Sequence, residues 1–124
     1  MRKIQLEAKD QTPWVILDKE NSTLEIRGYS FPDEAHAFYD DIINWFAEYA
    51  KDPNPETKLI FDLIYANSTS LKFLNDILKK MDLIVAAGKK VEIEWHYVAD
   101  DEDLLQLGNI LRDFHKVPFT FLPK

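Results

Sequence analysis

A chain of 124 residues, 46% hydrophobic and 30% charged, has the length and balance of one globular domain with a single core. It contains no cysteine, which excludes disulfides and thiolate metal sites, and its formal net charge of -7 argues against nucleic acid or an anionic membrane as principal partner. The opening MRKIQLEAKD lacks the apolar run of a signal peptide, and no later segment approaches the ~20 apolar residues that span a bilayer, so a soluble, cytoplasmic protein without membrane insertion is expected.

Trp14 to Leu17 is a short apolar run, and Thr23 to Tyr29 alternates; the turn residues Asp18 to Ser22 between them predict a hairpin. Ser30 and Pro32 then open a helix, with Ser30 as the capping side chain and Asp33 and Glu34 in its first turn. Ala35, Phe38, Ile42, Trp45, Phe46 and Tyr49 recur at helical spacing as its buried stripe, and Pro53 and Pro55 end it. Leu59 to Tyr65, almost wholly apolar but for Asp62, is the pattern of a central strand. A second helix spans Ser68 to Ala87, and Gly88 stops it. Val91, Ile93, Trp95 and Tyr97 alternate with Glu92, Glu94 and His96, a strand with one buried and one wetter face. Asp100 to Asp103 starts a third helix with core positions Leu104, Leu107, Leu111 and Phe114, and Phe119 to Leu122 forms a last short strand. The order β-β-α-β-α-β-α-β defines a single α/β domain over residues 1–124. Right-handed crossovers make its later strands parallel, the first hairpin supplies an antiparallel edge, and the helices lie mainly on one face of a mixed sheet.

Placing the second helix on a wheel of about 100° per residue orients its hydroxyls. Leu71, Leu74, Ile77, Leu78, Met81, Ile84 and Val85 share the core side, and Lys72, Asn75, Asp76 and Lys79 the opposite one. In that register Ser70 points inward, Ser68 outward beside Lys72, and Thr69 to a flank near Phe73, which lies off the core stripe as a possible apolar anchor. Asn67 to Ser70 is what N-capping requires, although a cap needs one such residue and not four in a row. A phosphate on Ser68 or Thr69 would meet the free N–H groups of the helix end, with Lys72 one turn along, and would add about −2 charge. On the residues alone, a cap ranks above a switch.

Several blocks run in order along nearly the whole chain: Thr12-Pro13, Gly28-Tyr29-Ser30-Phe31-Pro32-Asp33-Glu34, Tyr65-Ala66-Asn67-Ser68-Thr69-Ser70-Leu71-Lys72, Trp95-His96-Tyr97, Asp100-Asp101-Glu102-Asp103, Gly108 and Pro118-Phe119. With these the chain resembles the SiaC family of regulatory phosphoproteins, whose fold is similar to that of STAS-type anti-anti-sigma factors. The resemblance implies a partner-switching module. A dedicated kinase phosphorylates the protein and a PP2C-type phosphatase reverses it, while the unmodified form binds and activates a diguanylate cyclase in cyclic di-GMP and biofilm signalling. Aligning Tyr65, Asn67 and Lys72 carries the family's phosphorylated threonine onto Ser68, a serine where the family has threonine, with Thr69 as the alternative. Tyr65, Asn67, Ser70 and Lys72 form the environment of that site, and Asp100 to Asp103 a docking element.

Two other chemistries have some of their residues in the chain. Ser68, His96 and Asp62 supply the side chains of a hydrolase triad, but Gly-x-Ser-x-Gly is absent, and three glycines leave little material for an oxyanion turn. The acidic run from Asp100 lacks the alternating carboxylates and glycine of a calcium loop, and reads as a helix start capped by Asp100 or Asp101. His36 and His115, on different helices, show no ligand spacing. Asp62 either has a partner or lies on the wetter face of its strand. No cofactor or metal is expected; a serine hydrolase and a constitutive adaptor stand behind the switch.

Overall fold

The computed structural model describes residues 1–124. Three strands come first, β1 (Ile4–Leu6), β2 (Trp14–Asp18) and β3 (Thr23–Ser30). Helices and strands then alternate: α1 (Ala35–Tyr49), β4 (Glu56–Ala66), α2 (Ser68–Ala86), β5 (Lys90–Tyr97), α3 (Glu102–Asp113) and β6 (Phe119–Pro123). The strands form one mixed sheet in chain order, β1 to β6. β1, β2 and β3 pair antiparallel, whereas β3 to β6 pair parallel. Sequential parallel neighbours joined by crossovers of one hand place every helix on the same side. Burial agrees: Val91, Ile93, Trp95 and Tyr97 are buried, while Glu92, Glu94 and His96 between them are half-buried on the uncovered face.

The hairpin forms as expected, with Trp14 opposite Arg27 and Asp18 opposite Thr23. Its turn places Ser22 at φ 53°, and Asp18 accepts from the side chain and backbone of Asn21 at 2.7 and 3.2 Å. Those two bonds hold the Asp18 carboxyl below the usual carboxylate range. β1 is an addition to the expected order, since three residues with only Ile4 buried carry no readable periodicity.

Three further expectations are corrected. Ser30 does not cap α1; it ends β3, and the helix begins at Ala35 after Glu34, which makes no side-chain cap bond. The buried stripe of α1 includes Tyr39 in place of Phe38, which is half-buried. Phe114, placed in the core by periodicity, is 77% exposed at the C-cap of α3. On α2, Leu71 and Val85 are half-buried.

The largest fully buried side chains are Trp45, Trp95, Tyr39, Tyr49, Phe46 and Phe61. Burying a ring of Phe size contributes about 1.5–3 kcal/mol, provided its polar atoms keep partners. Here they do. Trp45 Nε1 donates to the Arg2 carbonyl at 2.7 Å, Trp95 Nε1 to the Leu104 carbonyl at 3.0 Å, and the Tyr49 hydroxyl bonds Thr57 at 2.7 Å. α3 seats on Trp95 and Phe121 through Gly108, where an added Cβ would lie 2.7 Å from both side chains. No helix is long and apolar enough to cross a membrane.

Candidate functional site

The β4–α2 junction lies at the carboxyl end of the parallel strands, beside the β3–α1 and β5–α3 connections. Open sheets commonly place their sites at this end, because successive loops converge there. Asn67 caps α2 in an extended conformation, and its Oδ1 accepts the Ser70 amide at 2.9 Å. The Asn67 carbonyl accepts the Leu71 amide at 3.1 Å. The amides of Ser68 and Thr69 have no intramolecular acceptor, as expected for the first residues of a helix. Both residues are exposed, and α2 has no acidic side chain in its first turn.

Ser70 points the other way and is fully buried. Its hydroxyl donates to the Ser30 carbonyl at 2.8 Å and accepts from the Ser30 hydroxyl at 2.8 Å. The Ser30 hydroxyl in turn accepts from Tyr39 at 2.5 Å. Each of the three protons has one acceptor, so a buried polar cluster is fully satisfied. Burial pushes the Tyr39 phenol up to about 12, which keeps it a donor. The Ser30 carbonyl also accepts the Asn67 amide at 3.1 Å. Ser30, expected as a cap, is therefore the anchor that ties the end of β3 to the start of α2.

The expected environment of the site divides. Tyr65 is half exposed and packs edge-on against Phe31 with centroids 5.9 Å apart. Lys72 is exposed, and its ammonium lies 5.8 Å from the centre of the Phe73 ring. Phe73 itself is not an exposed anchor. It is 2% exposed, stacked on Tyr39 at 5.3 Å and met edge-on by His36, because α1 packs against that flank of α2. In the acidic run, Asp101 caps α3 by accepting the Leu104 amide at 3.0 Å. Glu102 and Asp103 occupy the first turn, and Asp100 is exposed. No cluster of side chains suited to a metal is present.

Nor do the three hydrolase side chains meet. Asp62 lies opposite His96 in the sheet register but pairs with Lys124, and His96 Nε2 bonds Glu94 at 3.1 Å. Ser68 makes no side-chain bond to either. Asp62 thus has both a partner and a place on the uncovered face.

One polar cluster escaped sequence reasoning. His115 lies just past α3 with its side chain 2% exposed, Nδ1 at 2.6 Å from Asp82 and Nε2 at 2.6 Å from Asn75. Asp82 also accepts the Lys116 and Val117 amides at 2.9 and 3.0 Å, so this group staples the α3–β6 turn to α2. Only the seven-residue spacing of Asn75 and Asp82, which sets them on one side of a helix, hinted at it.

Comparison with known proteins places this arrangement. The model of the family described as SiaC family regulatory phosphoprotein matches residues 6–124. An uncharacterized protein of Pseudomonas aeruginosa (strain UCBPP-PA14) is 25% identical over 120 residues, covering 97% of this chain and 95% of that protein. The crystal structure of apo-SiaC from Pseudomonas aeruginosa superposes with a TM-score of 0.88 at 24% identity, covering 98% of this chain and 99% of that one. SiaC in its complex with the diguanylate cyclase SiaD, of which it is the activator, superposes at 0.91 with 24% identity and the same coverage. At that identity the solved structures establish the fold, one mixed six-stranded sheet with three helices; the matched length of the family model establishes descent. The chain belongs to the SiaC family of regulatory phosphoproteins.

Proposed function

We propose that this protein is a non-enzymatic, cytoplasmic switch, reversibly phosphorylated on Ser68, with Thr69 as the alternative acceptor. A cognate kinase adds the phosphate and a PP2C-type phosphatase removes it. The unmodified form binds and activates a diguanylate cyclase, so that the state of one hydroxyl sets cyclic di-GMP output and biofilm behaviour. The fold is read as a variant of the STAS-like one used by other partner-switching proteins.

One observation carries the reading. Two exposed hydroxyls sit on the first turn of a helix whose end amides are unbonded and whose first turn holds no carboxylate. A phosphate there is favoured by the amides and the dipole, so it can be added without unfolding the helix. It nevertheless changes the local surface by about −2 charge. Ser70 cannot serve as the acceptor while the domain is folded, because it is fully buried and both of its hydrogen-bonding roles are occupied.

Incubation with the cognate kinase and ATP, followed by mass-spectrometric mapping, tests the site. Phosphate on Ser68 or Thr69 is expected; no incorporation at either would reject the switch. Ser68→Asp is expected to weaken cyclase binding and Ser68→Ala to retain it, and equal binding by the two would remove Ser68 as the gate.

A further inference from the structure

β3 and β4 are in register from Leu24 opposite Leu59 to Gly28 opposite Leu63, but the next pair is Tyr29 with Tyr65. Ile64 is therefore an extra residue, a bulge beside Gly28 at φ 107°. Strict alternation would return Tyr65 to the helix-covered side that buries Phe61 and Leu63. Instead Ile64 and Tyr65, consecutive in the chain, are 49% and 50% exposed, and Tyr29 is 45% exposed. Phe31 joins them, with its ring 6.3 Å from Tyr29 and 5.9 Å from Tyr65, both edge-on. The bulge thus brings Ile64 and Tyr65 to solvent beside Tyr29, with the half-buried Phe31 touching both tyrosine rings, and none of the four side chains is charged.

We infer that this aromatic cluster is the surface on which an apolar face of the diguanylate cyclase docks. The inference rests on the reading that Ser68 gates that partner. Tyr65 precedes Ser68 by three residues, so their Cα atoms are at most about 11 Å apart. A gate acts only on a contact that reaches it. The other exposed large apolar side chains on or capping a helix are Leu83, near the far end of α2 from Ser68, and Ile110 and Phe114, in the second half and at the C-cap of α3. A twelve-residue helix is about 18 Å long, and α3 starts at the carboxyl end of β5, so Phe114 lies toward the opposite end of the domain.

The chemistry of the gate also selects the occupant. A partner burying these rings must dehydrate the adjoining surface, and a dianion at its rim makes that costly when no cation stands within the patch. An apolar partner surface is therefore rejected by the phosphate, whereas a basic one would be attracted. A second copy of this chain is disfavoured by mutual repulsion of two molecules carrying -7 each. Exposed tyrosines in a patch with no charged side chain are the composition that protein interfaces favour at their centres.

The test titrates the full chain against its purified cognate cyclase. Tyr65→Ser and Tyr29→Ser are each expected to raise Kd at least tenfold, Tyr65→Phe and Phe114→Ser to leave it within twofold, and all four to keep the wild-type melting temperature within a few degrees. Ser68→Asp reports separately on the gate, so a functioning gate with unaffected tyrosine variants would overturn this assignment alone. Loss of binding in Phe114→Ser with none in the tyrosine variants would move the docking surface to α3. Concentration-dependent dimers abolished by Tyr65→Ser, with cyclase affinity unchanged, would assign the cluster to self-association instead. Failure of the wild-type chain to bind any cyclase would overturn the functional reading and this assignment with it.

Discussion

Two helix N-termini stand at the same end of the sheet, after β4 and after β5, and one is acidic where the other is uncharged. α3 begins with an Asp101 cap followed by Glu102 and Asp103, so its dipole is matched by permanent carboxylates. α2 begins with an Asn67 cap of similar geometry, but the next two residues are the neutral Ser68 and Thr69. Both ends satisfy the same inner amide, at 2.9 Å in α2 and 3.0 Å in α3. The difference lies in the first turn: the acidic run supplies α3 with carboxylates that match its dipole, whereas α2 begins without one, and that uncharged start is what the proposed phosphate would occupy.

Carboxylate substitutions separate the two hydroxyls of α2 most sharply. Ser70→Asp is expected to lower stability by at least about 3 kcal/mol in urea denaturation, because it buries a charge among Ser30, Tyr39 and the Ser30 carbonyl. If the loss were under 1 kcal/mol, the inward orientation of Ser70 would be wrong. On the side of α3, Gly108→Ala is expected to cost about 1–3 kcal/mol, since the new methyl must displace both Trp95 and Phe121. A change of indole fluorescence should accompany that loss.

Removing the caps tests whether the two ends are alike apart from charge. Asn67→Ala and Asp101→Ala should each cost about 1 kcal/mol. A much larger loss for Asn67→Ala would mean that the Asn67 side chain does more than cap α2, since its backbone bond to Ser30 survives the substitution. The smallest effect has the opposite sign. Ser68→Asp should stabilise the fold by about 0.3–1 kcal/mol at low ionic strength and lose that gain in salt, as a carboxylate on an otherwise acid-free first turn. A destabilising Ser68→Asp would contradict the vacancy inferred at α2.

Much of the candidate site was legible in the chain itself. Helical periodicity oriented Ser68 outward and Ser70 inward, and the capping preference of Asn placed the start of α2 correctly, because both follow from bonds made within a single helix. Phe73 was misplaced for the complementary reason. A wheel ranks positions around one axis, but the packing of α1 widened the buried arc of α2 to include that flank. Ser30 was misread because its partners, Tyr39 and Ser70, lie 9 and 40 residues away. Phe114 kept its periodicity and lost its neighbour, as α3 ends where nothing is left to cover it.

By itself, then, the sequence determined the order of helices and strands from β2 onward, the parallel arrangement of the later strands, the capped start of α2 and the hydroxyl turned to solvent. These are consequences of local bonds, periodicity and the handedness of crossovers, which need no knowledge of distant contacts. Only the tertiary structure decided that Ser30, Tyr39 and Ser70 close into one buried hydrogen-bonded cluster, that Phe73 is core, and that Tyr65 faces solvent beside Tyr29 and Phe31. The last of these turns on a single unpaired residue in a parallel ladder. A bulge reverses the facing of every side chain beyond it, and register between strands more than thirty residues apart is a property of the folded sheet.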